Sequence, residues 1–141
     1  MIKRLIKILV FLFASSTFIY AGEEISLFNK DGKAVAYIAV DEGTTIYLWE
    51  GKPLAYLESE NVYGFNGKHL GWFSRGAIID HSGDGACVVK ERYPGYTQYE
   101  SYKGYKEYKP YKSYKEYVPY KPYESNTFSA TPCTLFLSDG I

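Results

Sequence analysis

The chain has 141 residues, and its 16 basic side chains balance its 16 acidic side chains. This length is enough for one small domain with some additional chain, and the lack of a basic excess argues against a nucleic-acid-binding protein. Aromatic residues make up 18% of the sequence, and 16 of them are tyrosines. The distribution of these tyrosines divides the chain into regions of different composition.

Residues 1–21 have the features of a secretory signal. A basic start is followed by the apolar run "ILVFLFASSTFIY", which is short for a bilayer span, and Ala21-Gly22 offers a cleavage point. The basic residues are Lys3, Arg4 and Lys7. We expect a mature chain from about Gly22, with a net charge of 13 − 16 = −3, that is secreted, periplasmic or held in the cell envelope. The alternative is an uncleaved N-terminal anchor, which would then be the protein's contact with a membrane.

Residues 25–89 contain four copies of one short segment: "ISLFNKDGKAVAYI", "IYLWEGKPLAYL", "VYGFNGKHLGWF" and "IIDHSGDGACVV". Each copy has a glycine near its centre and arms rich in β-branched or aromatic residues, so each copy predicts a β-hairpin. The shared glycines are Gly32, Gly51, Gly67 and Gly83. In the third copy, Asn66-Gly67 predicts a type I′ turn. The first copy has two extra residues and is expected to have a longer loop.

One position of the repeat is always occupied by a small residue: Ala36, Ala55, Gly71 and Cys87. Small residues at equivalent positions allow backbones to approach closely, so we expect these four to lie near a common axis where the hairpins meet. The predicted fold class is all-β, with four short antiparallel hairpin repeats around a pseudo-fourfold axis and an extended Tyr-rich tail. The alternative is an open eight-stranded meander, which would leave two sheet edges exposed.

The pattern "GKAVAYI / GKPLAYL / GKHLGWF" and the fourfold repeat resemble the four-fold beta-flower proteins of bacteria. The resemblance covers residues 25–89, and members of that family often carry a tail with a three-residue repeat. It implies a small all-β domain with pseudo-fourfold symmetry, and it implies no activity and no catalytic residues. The fourth copy departs from the pattern, because Asp84 replaces a lysine, His81 replaces an aromatic residue, and Cys87 is unusual there.

Few residues are arranged for chemistry, so we predict no enzyme, no catalytic residue, no metal site and no cofactor. His81 and Cys87 could form a nucleophilic pair. However, His81 stands at the aromatic position of the repeat and Cys87 at its small-residue position, where side chains are expected to pack. His69 and His81 could bind a metal ion, but no ligand spacing supports such a site.

Aromatic and basic side chains of the hairpins are the candidate ligand-binding residues. Flat aromatic faces near polar groups suit sugars and partner proteins, and a row of lysines after the glycines could form a basic rim that holds an anion. The candidates are Trp49, Tyr63, Trp72, Lys33, Lys52 and Lys68. The alternatives are that the aromatic residues fill the core of a small domain and that the lysines keep the turns soluble.

In residues 93–124, tyrosine recurs at every third position. Eleven tyrosines share this period: Tyr93, Tyr96, Tyr99, Tyr102, Tyr105, Tyr108, Tyr111, Tyr114, Tyr117, Tyr120 and Tyr123. Three residues per turn is the period of polyproline II, in which these tyrosines would share one face and the lysines a second. A disordered low-complexity linker is the alternative. Because the segment has almost no aliphatic residues, we expect a Tyr/Lys-rich arm that carries association rather than stability.

Residues 125–141 regain apolar character in "TFSATPCTLFL", and we expect this piece to dock on the hairpin domain or on a partner. Cys133 in this piece and Cys87 are the only cysteines, and in an oxidising compartment they can form one disulfide. A bridge would make the tyrosine segment a loop thrown outward. The alternative is two free thiols and an arm that is free at its far end.

The sequence therefore predicts a signal peptide at 1–21, a hairpin domain at 22–92, a low-complexity segment at 93–124 and a docking piece at 125–141. The favoured function is a non-enzymatic secreted or envelope-associated structural or interaction module that binds a protein or a cell-envelope component. The alternative is a carbohydrate-binding module that holds a glycan on the aromatic faces of the hairpins. A nucleic-acid partner is not expected.

Overall fold

The computed structural model describes residues 22–141, so the predicted signal at 1–21 lies outside the described residues. Eight short strands form one antiparallel sheet in which every strand pairs with the next along the chain. They are β1 (Glu24–Phe28), β2 (Ala34–Ala39), β3 (Thr45–Leu48), β4 (Pro53–Glu58), β5 (Asn61–Gly64), β6 (His69–Ser74), β7 (Ala77–Ile79) and β8 (Gly85–Val88). The pairs β1–β2, β3–β4, β5–β6 and β7–β8 are hairpins 1 to 4 and correspond to the four sequence repeats.

The sheet closes on itself, because β1 also pairs with β8 through Phe28 and Val88. The strands are only 3 to 6 residues long, and an isolated hairpin of that size is marginal in water. Closure gives every strand two neighbours and removes both sheet edges. The predicted all-β fold of four hairpins around a common axis is confirmed, and the open meander is wrong.

The four hairpin turns have the same hydrogen bonds. The N–H of the first turn residue donates to the carbonyl four residues later, and the N–H of the glycine at the fourth position donates to the carbonyl of the first, with N···O distances of 2.8 to 3.0 Å. The first turn residues are Asn29, Leu48, Gly64 and Asp80. Each glycine has a positive φ, between 75° and 108°. This pattern is a three-residue loop that ends in a glycine bulge.

Two expectations about these turns are therefore wrong. The Asn66-Gly67 turn is not type I′, because only the glycine of the pair has a positive φ. The first hairpin has no longer loop, since Leu27, and not Ile25, is the counterpart of Ile46 in the pairing register. A strand repeats its inward and outward pattern every two residues, so a sequence alignment shifted by two residues looks equally good.

Side chains alternate between the inside and the outside of the barrel. The small residues face inward, as predicted, and each pairs with a larger apolar residue: Ala36 with Leu27, Ala55 with Ile46, Gly71 with Val62 and Cys87 with Ile78. The inward side chains form the central core. The next residues along the strands face outward: Tyr37, Tyr56, Trp72 and Val88. They are only 1–5% exposed, so the barrel has a second apolar layer on its outer face.

A short helix, α1 (Cys133–Ser138), packs with one side against the central core of the barrel. Cys133 and Leu137 are buried in the central core, and the helix packs against β2, β4 and β8. A disulfide joins Cys133 to Cys87, with Cα atoms 5.0 Å apart. The apolar C-terminal piece therefore docks on its own barrel. Within residues 22–141, no helix combines the length and the apolar character that a membrane crossing needs.

Gly71 gives the most direct test of close packing at the axis. A Cβ added at Gly71 would collide with the carbonyl oxygen of Ile79 and would lie 3.3 Å from the ring of Phe136. We expect Gly71→Ala to lower the free energy of unfolding by about 1 to 3 kcal/mol, because an overpacked core forces the backbone to shift. Thermal and denaturant unfolding of the purified protein measure this loss.

Gly85→Ala is the matched control, because a Cβ at Gly85 would lie 3.8 Å from its nearest neighbours, an ordinary contact distance. If the two variants unfold at the same temperature, the packing around Gly71 is looser than described.

Candidate interaction surface

Residues 93–125 form an extended belt that runs around the outside of the four hairpins. The belt contains neither helix nor strand. Its backbone N–H groups donate to one carbonyl in each hairpin turn, with N···O distances of 2.8 or 2.9 Å: Gln98 to Gly32, Glu107 to Gly51, Glu116 to Gly67 and Ser125 to Gly83. The belt therefore follows the hairpins in chain order and is attached to each one at the same turn residue.

The four attachment points are nine residues apart, which is three tyrosine triplets. A second contact repeats at the same interval, since the N–H groups of Gly104 and Ser113 donate to the carbonyls of Trp49 and Phe65, both at 2.9 Å. The approach is close: a Cβ on Gly51 would collide with the carbonyl of Tyr105. The belt thus shares the fourfold repeat of the barrel, with one nonapeptide for each hairpin.

This nine-residue repeat is visible in the sequence, but the stronger three-residue period of tyrosine conceals it. In blocks of nine, residues 102–110 read "YKGYKEYKP" and residues 111–119 read "YKSYKEYVP". The structure thus differs from the free arm or outward loop that the sequence analysis expected. The physical reason is that an extended backbone needs partners for its N–H groups, and the hairpin turns supply carbonyls at matching intervals.

The belt lysines point towards the barrel and cover its outer aromatic layer. The Nζ atom of Lys103 lies 4.9 Å from the ring centre of Tyr37 and 4.8 Å from that of Trp49. The Nζ atom of Lys112 lies 4.1 Å from the ring centre of Tyr56. These distances suit cation–π interactions, and the aliphatic stems of the lysines shield the rings from water.

Carboxylates of the hairpins neutralise several of the same ammonium groups. The Nζ atoms of Lys103 and Lys106 lie 3.0 and 2.7 Å from the carboxylate of Glu24. Burial raises the pKa of Glu24, but hydrogen bonds from Lys106 and Lys103 outweigh it and hold the pKa below its ordinary value of 4.5. The further ion pairs between belt and barrel are Lys106–Glu42, Lys115–Glu58 and Lys121–Glu60. Partly exposed pairs contribute little each, so the backbone hydrogen bonds and the ring contacts carry more of the attachment.

Two of the candidate ligand-binding aromatic residues, Trp49 and Tyr63, lie under the belt, and the third, Trp72, packs against His69 and His81. Trp49, Tyr63 and Trp72 are 8%, 3% and 2% exposed. The indole N–H of Trp49 donates to the carbonyl of Ser101 at 3.2 Å, and the hydroxyl of Tyr63 donates to the carbonyl of Glu116 at 3.0 Å. Other parts of the same chain occupy these rings, which therefore offer no open face to a sugar.

The candidate lysines Lys33, Lys52 and Lys68 are exposed beside the hairpin turns. Their backbone carbonyls close those turns. The Nζ atom of Lys68 lies 3.2 Å from the carboxylate of Asp139, and both side chains are more than half exposed. An anion site formed by these three lysines stays a prediction.

Ten tyrosines of the belt point away from the barrel. Their exposed fractions run from 96% to 102%, so their side chains contact nothing else in the chain. These residues form the tyrosine rim: Tyr96, Tyr99, Tyr102, Tyr105, Tyr108, Tyr111, Tyr114, Tyr117, Tyr120 and Tyr123. The eleventh tyrosine, Tyr93, turns inward, and its hydroxyl donates to the carbonyl of Lys30 at 3.0 Å. Outward tyrosines and inward lysines with a shared period of three indicate a backbone with three residues per turn.

A pair of histidines distinguishes the contact between hairpins 3 and 4. His81 stands at the turn position that Trp49 and Phe65 hold in hairpins 2 and 3. Its Nε2 atom lies 3.1 Å from Nδ1 of the buried His69, and the two rings stack. Burial lowers the pKa of His69, the neighbouring His81 lowers it further, and the carboxylate of Glu116 partly opposes both effects.

An open groove of about 570 Å³ lies beside this pair, between hairpins 3 and 4 and α1. The Asp80 carboxylate in the groove already accepts hydrogen bonds from the backbone N–H groups of Ser82 and Asp84 and from the hydroxyl of Ser129. Cys87, considered as a nucleophile, is in the disulfide. In the part of the chain that the structure describes, no three His, Cys, Asp or Glu side chains come together as ligands for a metal ion.

A family model described as 4-fold beta flower protein matches residues 25–137. The match spans the four hairpins, the belt and most of α1, which is well over half of the chain. The chain belongs to this family. No curated protein and no solved structure gave a significant match. The resemblance seen in the hairpin repeats of this beta flower is thus confirmed, and the family model extends it over the belt.

The nine-residue register of the beta flower can be tested by removing one triplet. Deletion of residues 108–110 keeps the tyrosine period but shortens the belt by about 9 Å between hairpins 2 and 3. Because the disulfide fixes the far end, we expect the attachments at hairpins 3 or 4 to break. With hydrogen bonds worth about 0.5 to 1.5 kcal/mol each, the free energy of unfolding should fall by about 2 kcal/mol or more. Thermal unfolding and hydrogen exchange at the amides of Glu116 and Ser125 measure the effect.

Lys109→Val is the matched control, because it makes residues 108–110 identical to residues 117–119 at constant length. It removes one contact, from the Lys109 ammonium group to the carbonyl of Glu42 at 3.3 Å. A deletion variant as stable as this control would show that the register is unimportant and that the segment behaves as the arm expected from the sequence.

The buried histidine predicts a loss of stability on mild acidification. Folding lowers the pKa of His69 below its ordinary value of 6.5, so its contribution is complete above about pH 6.5 and is lost as the pH falls through the folded-state pKa. The slope for one group is at most about 1.4 kcal/mol per pH unit. The pKa of Glu24 lies below 4.5, so protonation of that carboxylate reduces the free energy of unfolding only at a lower pH than protonation of His69 does. We expect the denaturant midpoint to fall between about pH 7 and about pH 5.

His69→Gln should flatten this dependence, because the variant has no imidazole to protonate at that site. His81→Phe restores an aromatic residue like those of hairpins 2 and 3 and should flatten it in part, since the neighbouring imidazole that helps to lower the pKa of His69 is gone. If His69→Gln retains the wild-type slope, other groups cause the pH dependence.

Proposed function

We propose that the protein is a non-enzymatic interaction module, secreted or held in the cell envelope, and that the tyrosine rim is its binding surface. The observation that carries this proposal is the exposure of ten rings on a backbone that the barrel holds in place. Ten tyrosine side chains offer on the order of 2,000 Å² of contact surface. Exposed aromatic surface of this total size is typical of interaction sites.

The rigid support of the rim favours binding. Tyrosine provides a large contact area with few rotatable bonds, so ordering it on a partner costs little entropy. The belt backbone is already fixed by its hydrogen bonds to the four hairpin turns. A disordered tyrosine-rich arm would instead lose backbone entropy when it bound. The rim therefore meets a partner in a pre-organised form.

The location is proposed from the sequence and the cysteines. Residues 1–21 have the basic start and the apolar length of a secretory signal. The bond between Cys87 and Cys133 is of a kind that persists in oxidising compartments. Both features support a place in the periplasm, in the cell envelope or outside the cell.

Substitutions on the rim test whether it binds. Replacement of Tyr99, Tyr105, Tyr111, Tyr117 and Tyr123 by Ser removes every second ring and leaves the belt backbone unchanged. Replacement of the same five tyrosines by Phe keeps the rings and is the matched control. We expect the Ser variant to bind envelope fractions of the producing cells at least about tenfold more weakly than the wild type, because several aromatic contacts are lost. The Phe variant should bind nearly as well as the wild type.

The measurement is co-sedimentation of the purified mature chain with those envelope fractions. Both variants should unfold at the wild-type temperature, since the replaced side chains contact nothing else in the chain. Equal binding by the wild type and the folded Ser variant would contradict the proposal.

A further inference from the structure

We propose that the partner of the tyrosine rim is the rim of a second copy of this chain, with the rings of the two belts interleaved. This inference rests on the proposed function, because it names the partner of the same surface. Three properties of the rim carry it: the spacing of its rings, the direction of the belt charges, and the shape of the surface.

The spacing leaves room for one additional ring between each pair of neighbours. Successive rim tyrosines are three residues apart, and three residues of polyproline II advance the chain by about 9 Å. Neighbouring rings of one belt are too far apart to stack on each other, in agreement with exposed fractions of 96% to 102%. A ring inserted midway would lie about 4.7 Å from each neighbour. Aromatic ring centroids prefer separations of about 4.5 to 7 Å, so a second rim of the same period fits this space.

The charges of the belt do not oppose contact between two copies. Lys103, Lys106 and Lys115 point inward and pair with hairpin carboxylates. A second belt therefore does not meet a row of uncompensated lysines. The phenol groups are self-complementary as well, because each hydroxyl can both donate and accept a hydrogen bond. The hydroxyl groups of two identical rims can thus form hydrogen bonds with each other, and no second type of surface is needed.

The shape of the rim favours another rim over a small ligand. Small molecules bind in concave pockets, whereas the outer surface of a belt that surrounds a barrel is convex. Two convex rims with the same period can mesh along their line of contact. Because the rim extends past all four hairpins, one molecule can meet neighbours on several sides. Contacts of this kind do not limit the number of copies to a closed oligomer. We therefore expect the copies to associate side by side into assemblies whose average size increases with protein concentration.

Analytical ultracentrifugation of the purified mature chain tests this inference. The average mass of the wild type should rise with protein concentration. The variant with Ser at Tyr99, Tyr105, Tyr111, Tyr117 and Tyr123 doubles the ring spacing to about 19 Å, so interleaved rings lose half of their neighbours. Its self-association should be weaker by at least about tenfold, and the variant with Phe at these positions should associate like the wild type. Added salt should not weaken the association, because the contact contains no ion pairs.

A wild-type protein that stays monomeric from micromolar to millimolar concentration would overturn the inference, as would association that the folded Ser variant retains. These results leave the proposed function separately testable. If the monomer still binds envelope fractions through the rim, the proposed function stands and the partner is another molecule. If the rim-dependent ligand of that monomer is a neutral polysaccharide, the rim is a glycan site.

Discussion

The aromatic residues on the outer face of the barrel must be shielded from water, and this need determines the path of the chain after the fourth hairpin. The inner face is filled by apolar side chains and by α1, but the outer face carries Tyr37 and Tyr56, which water would otherwise reach. The belt covers this layer with lysines whose ammonium groups lie over the rings and whose stems are apolar. A segment without helix, strand or a core of its own thereby becomes part of the fold.

The cover fits because belt and barrel have the same symmetry, and the contacts of the belt change at hairpin 4. Pro122 has no N–H at the place where Gly104 and Ser113 donate to hairpins 2 and 3. Glu124 stands nine residues after Lys115 and accepts a hydrogen bond from the hydroxyl of Ser74 at 2.7 Å. The disulfide holds the end of the belt at this same hairpin. It joins residues 46 positions apart. Because the cross-link lowers the entropy of the unfolded chain, it is expected to stabilise the folded state by about 4 kcal/mol. Covalent closure therefore adds to the hydrogen bonds that the hydroxyls of Ser125 and Thr127 donate to Asp84 at this hairpin.

The sequence predicted the barrel better than the belt, and the reasons are physical. Equivalent positions in the four sequence repeats carry similar residues, so the sequence alone identifies the hairpins and the small inward residues. The two-residue period of a strand left the register of hairpin 1 open, and Asn66-Gly67 is compatible with two turn geometries. The belt has almost no aliphatic side chains and so resembles a free arm in the sequence, whereas backbone hydrogen bonds and cation–π contacts hold it on the barrel. Aromatic character alone could not decide whether Trp49 binds a ligand or packs, since both uses need the same flat ring.

Because of the three-residue period, some positions of the belt face the barrel and attach the belt to it, while the tyrosine positions face outward. Inward positions vary because each meets different atoms of the barrel: a Cβ at Gly104 would collide with the carbonyl of Glu50, whereas Lys112 must reach the ring of Tyr56. Outward positions meet nothing, so the fold places no demand on them. A belt that only had to remain soluble could present serine or glutamate there, and ten phenol rings in water are a poorer choice for that purpose. The uniform tyrosine face is thus unexplained by folding, and the proposed contact with another surface would explain it.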